Sequence, residues 1–317
     1  MQPALTYSLV IPVYRNEDNI PTLLAAIGGL RATLGPSFEA VFVVDGSPDA
    51  SHERLRGALP EQPFASTLVA LARNFGAFAA IRHGLGVARG SGIAVMAADL
   101  QEPPELVVQL LQRIEAGADI AFGTREGRND PAFSRTLSGI YWSLYRRWVV
   151  PDIPRGGVDI FAVGHRMRDA LLAMPEANTS LLAQLFWLGG TRAFVPYVRR
   201  EREIGSSAWT LRKKLRYLTD SVFSFTDLPV RLLLGLGLVG VTVSIALALV
   251  VLAAKLSGRV AVPGYAATIL VVLFFGAFNA LGLGIIGSYV WRAFENTKRR
   301  PLTVEQRIQT FAPKGSC

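Results

Sequence analysis

The chain is short of the residues that staple or metallate a fold. Its single cysteine is the terminal Cys317, so a disulfide framework and a cysteine-rich metal site are both excluded. The three histidines, His52, His83 and His165, are scattered at spacings that no zinc site uses. The amino end carries no basic head followed by an apolar run, so no cleavable leader is expected there. There is no Walker-type phosphate loop, no Ser/His/Asp signature, no long repeat and no low-complexity tract.

Two stretches lack charge altogether. Leu232 to Ala254 and Ala266 to Tyr289 each run for roughly 23 residues, enough to cross about 30 Å of hydrocarbon as a helix. Two transmembrane helices are therefore predicted within 230–291, and they explain a mean hydropathy of +0.33. Arg212, Lys213, Lys214 and Arg216 precede the first run, and Lys298, Arg299 and Arg300 follow the second. The connection offers only Lys255 and Arg259, so the positive-inside rule puts both termini in the cytoplasm and makes this an integral protein of the cytoplasmic membrane. Residues 292–317 are then expected to be a cytoplasmic tail.

The formal net charge of +9 does not point to nucleic acid. Many of the cations sit in a belt from Arg199 to Arg216 and near the carboxyl end, a placement that suits anionic headgroups or a phosphorylated lipid. From Trp209 to Phe225 apolar residues recur at helical spacing among these cations, which predicts amphipathic juxtamembrane helices over 209–229, lying on the bilayer surface. Two Gly-x-Gly-x-x-Gly matches, Gly235 to Gly240 and Gly282 to Gly287, fall inside the apolar runs and follow no strand, so they are no dinucleotide fingerprint. The stripe Gly276, Ala280, Gly284 and Ser288 fits close helix packing better.

The remainder alternates. Apolar strands are predicted at "SLVIPVY", "AVFVV", "STLVALA", "GIAVMAA" and "DIAFG", separated by amphipathic helices. This is the pattern of an α/β fold whose mostly parallel sheet carries helices on both faces. Ligands of such sheets bind beyond the carboxyl ends of the strands. That rule gathers Asp45, Arg73 and Asn74, Asp99 and Gln101, and Thr124 and Arg125 along one edge. After Arg125 the alternation stops. An aromatic, basic helix is predicted over Ser134 to Val150, an added strand at Val158 to Gly164, and a helix near Arg166 to Met174.

The stretch "MAADLQEPPE", Met96 to Glu105, places a short carboxylate and a carboxamide where the fourth strand stops. Asp99 and the amide oxygen of Gln101 are oxygen ligands of the kind Mg²⁺ or Mn²⁺ takes, the ion keeping water and drawing its other ligands from substrate phosphates. Pro103 and Pro104 suit the first turn of the next helix, and Glu102 and Glu105 favour its positive end.

These residues resemble the inverting family 2 glycosyltransferases, in particular the branch that transfers a sugar to a polyprenyl phosphate. The similarity runs through "SLVIPVYRNEDNI", "VVDGSPDAS", "ARNFG", "AADLQEPPE", "GTR", "GGVDIF", the Arg-x-x-Gly-x-Ser of Arg202 to Ser207, and two closing apolar runs ending in "YVWRAFENTKRRP". It implies a GT-A-like fold, with a cytoplasmic transferase domain over 1–208 divided near 125 into a nucleotide-sugar half and an acceptor half. It also implies roles. Pro12, Tyr14, Glu17 and Asp45 would hold the base and ribose of a nucleotide-sugar donor, and Asp99 and Gln101 a Mg²⁺ or Mn²⁺ ion. Arg125, Arg135 and Ser138 would meet the acceptor phosphate, and Arg202 and Ser207 the phosphates of donor or acceptor. Glucose from a uridine donor, undecaprenyl phosphate as acceptor, and a tetrameric assembly belong to the same implication.

Three positions depart from the family pattern. Ala97 stands where a further aspartate is common, Val44 precedes Asp45 where a second aspartate is common, and Ala208 follows Ser207 where lysine is common. Two other readings stay open on the sequence: a transferase acting on a polysaccharide or protein, and a non-catalytic membrane partner that keeps the fold.

Overall fold

The computed structural model describes residues 6–126, 143, 145–147, 149–154, 158–200, 211–257 and 264–315. The strands are β1 (Tyr7–Val13), β2 (Phe38–Val44), β3 (Ala65–Leu71), β4 (Gly92–Val95), β5 (Ile120–Arg125), β6 (Val158–Gly164), β7 (Arg192–Tyr197) and β8 (Glu305–Phe311). They form one sheet in the order β7-β5-β6-β4-β1-β2-β3-β8. The pairs β1–β2, β1–β4, β2–β3 and β5–β7 are parallel. Those of β4–β6, β5–β6 and β3–β8 are antiparallel. This is the GT-A-like, mostly parallel α/β sheet expected.

The helices are α1 (Ile20–Leu34), α2 (Ser51–Ala58), α3 (Ala77–Val87), α4 (Pro104–Glu115), α5 (His165–Leu172), α6 (Leu181–Trp187), α7 (Leu211–Phe225), α8 (Leu228–Leu256) and α9 (Tyr265–Thr297). Both faces of the sheet are covered, which is why its central strands are apolar throughout; every residue of β2 is buried. On one face Leu9, Ile11 and Phe42 pack against Leu23 and Ile27 of α1 and Leu106 and Leu110 of α4. On the other, Val10, Val41 and Phe122 meet Ile81 and Leu85 of α3, Leu171 of α5 and Leu185 of α6. Helix α4 begins with Pro104, whose missing N–H costs nothing in a first turn, and buries Leu106, Val107, Leu110 and Leu111 along one stripe.

Strand β6 inserts between β4 and β5, so the fourth and fifth strands are not neighbours. Three features depart from the sequence reading. Thr124 and Arg125 are the last residues of β5 rather than following it. Within the segment assigned to a cytoplasmic tail, Glu305–Phe311 forms β8, which pairs with β3 at the sheet's edge. Finally, α7 does not turn its apolar side to a bilayer along its carboxyl half: Tyr217, Leu218, Val222 and Phe225 pack on the second core cluster. Helical spacing alone cannot tell a bilayer from a protein core.

Helices α8 and α9 contain two candidate membrane spans, Leu228–Leu247 and Phe274–Thr297, in which Gly282 alone of the described residues is buried. Leu234, Leu238, Leu249, Leu283 and Val290 all stand more than half exposed. Core helices of a water-soluble body would bury such side chains. The far end of α9 is tied to the sheet-bearing body: Arg292 donates to Asp220 Oδ1 (2.7 Å) and to the carbonyl of Asn178 (2.9 Å), and Ala177 N–H donates to Asn296 Oδ1 (2.9 Å).

Candidate active site

The parallel strands β1, β2, β3 and β4 end on one edge, and their following loops interlock there. After β2, Asp45 is only 2% exposed. Its two carboxylate oxygens accept from the backbone N–H groups of Phe75 (2.7 Å) and Gly76 (2.8 Å), which binds the β3–α3 loop to the end of β2. Gly46 follows at φ +55°, and a Cβ there would lie 2.3 Å from the backbone carbon of Arg73. Only glycine meets both demands. Arg73 lays its guanidinium over the Phe75 ring at 4.1 Å, still exposed at the edge.

At the end of β1, Pro12 within the strand and Tyr14 just after it lie partly exposed. Arg15 takes a left-handed φ of +55° with its N–H on Ser47 Oγ at 2.8 Å. Glu17 Oε2 accepts from Ala50 N–H at 2.9 Å. Asp49 organises this junction: it accepts from the Ser47 hydroxyl (2.6 Å), the Ser51 hydroxyl (2.9 Å), and the Glu17 (3.1 Å) and Ser51 (3.2 Å) amides. Burial pushes its carboxyl up, but the hydrogen bonds outweigh that and hold it below the usual carboxylate range. The sequence reading passed over Asp49. Its signal was Ser47-x-Asp49-x-Ser51, a spacing that lets hydroxyls and a carboxylate bond each other in a turn.

After β4, Met96 N–H still donates to Val10 O (3.0 Å), but the regular strand has ended at Val95. Asp99 and Gln101 are partly exposed at the edge, and Leu100 between them has φ +52°. For a branched side chain that conformation is strained. It lets Gln101 N–H approach Asp99 Oδ1 at 3.4 Å. The turn is held from across the sheet: Arg199, just beyond β7, donates from Nη2 to Gln101 Oε1 at 2.6 Å, and Arg200 N–H donates to Gln101 O at 2.9 Å. Glu102 does more than favour a helix terminus, being 2% exposed with Oε1 3.8 Å from Arg199 Nε. Glu105 pairs with Arg200 at 3.6 Å. Arg199 was legible in the sequence only as one cation of a belt.

Arg125 ends β5 opposite Tyr197 in the β7 register. Arg135, Ser138, Arg202 and Ser207 lie outside the described residues. A hollow of about 680 Å³ between the body and the apolar helices is lined by Glu176, Trp187, Phe223, Asp227 and Tyr289 among others, and by none of the strand-end residues named above. Its carboxylates are the wrong sign for a phosphate.

Among the described residues no three His, Cys, Asp or Glu side chains group closely enough to hold an ion. Asp99 brings a hard oxygen ligand at an accessible edge, whereas Gln101 Oε1 is already engaged by Arg199. Such a donor set suits Mg²⁺ or Mn²⁺ that keeps water and takes most of its ligands from a diphosphate.

The family model for glycosyl transferase family 2 matches residues 8–167. The chain belongs to that family. It is therefore a glycosyltransferase, and the matched residues include every strand-end loop from β1 to β5. Among curated relatives, an uncharacterized glycosyltransferase of Synechocystis is 30% identical over 93% of this chain and 93% of its own. A prophage bactoprenol glucosyl transferase homolog of Escherichia coli K12 is 30% identical over 95% of this chain and 99% of its own. Among solved structures, glucosyl-3-phosphoglycerate synthase from Mycobacterium tuberculosis in complex with uridine diphosphate superposes with a TM-score of 0.49 at 16% identity, over 70% of this chain and 80% of that one.

Proposed function

We infer that this family 2 transferase moves a glucose-like hexose from a uridine-diphosphate sugar to a polyprenyl phosphate, undecaprenyl phosphate in kind, at the cytoplasmic face of the membrane. One observation carries the reading: the strand-end site belongs to the same chain as two exposed apolar helices, and the chain returns from the second of them to the catalytic sheet at β8. Two candidate spans and a return to the same sheet support a site held on the same side of a bilayer as both ends of the span pair. An acceptor whose head is charged and whose tail is apolar can meet a site held there. The resemblance to a bactoprenol glucosyl transferase homolog over nearly the full length supports the same class of acceptor.

The chemistry follows from charge. The acceptor phosphate is an anion at neutral pH, so an oxygen lone pair attacks the anomeric carbon without a general base. The bond from that carbon to the diphosphate breaks, and its electron pair leaves on the diphosphate oxygen. Attack from the opposite side inverts the anomeric centre. The demanding step is accommodating negative charge on the leaving diphosphate. A divalent ion held through Asp99 would supply charge neutralisation there. Arginine forks suit phosphate oxygens in pairs, the role assigned to Arg125, Arg135 and Arg202, with Ser138 and Ser207 as hydroxyl donors. Pro12, Tyr14 and Glu17 border the place for base and ribose. Asp45, whose carboxylate is spent on two backbone amides, acts there by shaping the loop.

The test is a panel of radiolabelled sugar nucleotides supplied to membranes with undecaprenyl phosphate. Transfer from one donor is expected, and Asp99→Asn should abolish it while expression and membrane insertion persist. Equal transfer by wild type and variant would sink the assignment of Asp99, and no transfer from any donor would sink the enzymatic reading of this site.

A further inference from the structure

Where α7 gives way to α8, the hollow of about 680 Å³ opens between the sheet-bearing body and the two apolar helices. Its walls come from three places: Glu176 and Trp187 of the body, Phe223, Phe225 and Asp227 of the α7–α8 elbow, and Tyr289 of α9. The rings of Phe223 and Tyr289 pack with centroids 5.2 Å apart, and the Arg292 guanidinium lies 5.2 Å from the Phe223 centroid. One cation is thus already drawn to these rings. The two carboxylates are held rather than loose. Gln184, itself buried, donates from Nε2 to Glu176 Oε2 at 2.8 Å, and Arg82 Nη1 backs Gln184 Oε1 at 3.2 Å. Arg231 Nε donates to Asp227 Oδ2 at 2.7 Å, although Arg231 is not among the walls and stands exposed beside them. A carboxylate offers about four lone-pair sites, so such a bond leaves acceptor capacity in each.

These features select an occupant. Carboxylates and aromatic faces both attract a cation, and a primary ammonium also donates three hydrogen bonds, which a quaternary one cannot. The exposed guanidinium of Arg231 beside Asp227 offers the opposite sign just outside the hollow, so the pair matches a zwitterion laid against it. Apolar surface continues from there. Val230 lines the hollow, and Leu234 and Leu238 follow it at one-turn steps along α8, both well exposed. Trp187, 69% exposed, is a ring of the kind that settles where headgroups meet hydrocarbon. We propose that the hollow docks the headgroup of an aminoethyl phospholipid, phosphatidylethanolamine in kind. Its ammonium sits between Glu176 and Asp227 against the rings, its phosphate meets Arg231, and its tails follow α8. Such a lipid fixes the height of the body over the bilayer. This rests on the reading of α8 and α9 as membrane spans and on nothing at the strand-end site.

The experiment offers detergent-purified full-length protein equal amounts of phosphatidylethanolamine, phosphatidylcholine and phosphatidylglycerol, and counts the retained lipids by native mass spectrometry. Phosphatidylethanolamine should bind about tenfold more tightly than either of the others, the size of one charge-assisted hydrogen bond. Glu176→Gln/Asp227→Asn keeps the shape of the hollow, removes its charge and should erase that preference. Melting in nanodiscs gives a second readout. Exchanging phosphatidylcholine for phosphatidylethanolamine at constant phosphatidylglycerol should raise the wild-type melting temperature by a few degrees and leave the double variant where it was. If the double variant does not fold, Trp187→Ala, at an exposed position, takes its place and should weaken the preference about threefold. Equal retention of phosphatidylcholine, a preference for phosphatidylglycerol, or a preference for phosphatidylethanolamine that survives in the variant would each overturn the proposal. So would soluble glycerophosphoethanolamine that competes as well as the lipid, because the site would then take a free headgroup. Wild-type protein released from membranes by alkaline carbonate sinks the span reading and this proposal together. Protein that stays in the membrane but shows no lipid preference sinks the proposal alone.

Discussion

The backbone N–H of Ala72 donates to the carbonyl of Val304 at 2.9 Å, joining the end of β3 to a segment beyond both apolar helices. From there β8 runs antiparallel along β3, Thr67 opposite Thr310 and Val69 opposite Ile308. His83 of α3 adds contacts to Thr303 Oγ1 (2.9 Å) and Glu305 Oε2 (3.4 Å). Ending the chain before Thr303 would leave β3 as an open edge beside the loop that carries Arg73 and Asn74. Such a truncation should still insert into membranes but melt several degrees lower, and it should aggregate on heating. Fluorescence-detected size exclusion after a temperature series checks this; a melting point equal to wild type would show that β8 is dispensable.

Gly46 is a second point where the fold controls the site. With φ +55° and a Cβ position 2.3 Å from the Arg73 backbone, Gly46→Ala must move the β3–α3 loop. A cost of about 1–3 kcal/mol is expected from backbone strain of this kind. Thermal unfolding measures it, and retention of wild-type stability would mean that the two loops do not touch as described.

Asp45 separates a shaping role from a binding one. Asp45→Ala strands the Phe75 and Gly76 amides in a partly buried place, at up to about 1–3 kcal/mol for each donor left unpaired. Asp45→Asn keeps one acceptor oxygen and should lose about half as much. Were Asp45 only a contact to the nucleotide, both variants would melt like wild type and lose donor affinity alone. Chemical denaturation beside donor titration distinguishes the two.

Asp49 sets a pH dependence. Its folded pKa is depressed below the ordinary value of 3.8. The contribution to stability is therefore fully present above that value and is lost as the pH falls through the lower, folded pKa. Wild type should exceed Asp49→Asn in stability by a constant margin from pH 5 upward, in a margin that shrinks only in more acid solution, from about pH 4 downward. Denaturant melts across that range read the margin. One that changed near neutrality would assign the effect to another group.

What was legible in the sequence was whatever depends on local order. Continuous apolar runs announced β1, β2 and β3 because strands covered on both faces need no alternation. Lack of charge over two long runs announced α8 and α9, since hydrocarbon tolerates little else. Strand ends marked Asp45, Asp99 and Gln101 as edge residues, because a parallel sheet puts all such ends together. The strand at Glu305–Phe311 was not visible: its alternation is exposed and weak, and its partner β3 lies on the far side of the two apolar helices in sequence.

Charge and composition along the chain therefore determined the layers, the apolar helices and the edge at which the candidate site residues gather. Only the tertiary structure decided which polar atoms are already spent. Asp45 is committed to two amides, Gln101 to Arg199, and the apolar side of α7 to the core, for the physical reason that a partner's identity is a matter of distance in space. Arg199 and Gln101 are nearly a hundred positions apart in the chain and 2.6 Å apart in the fold.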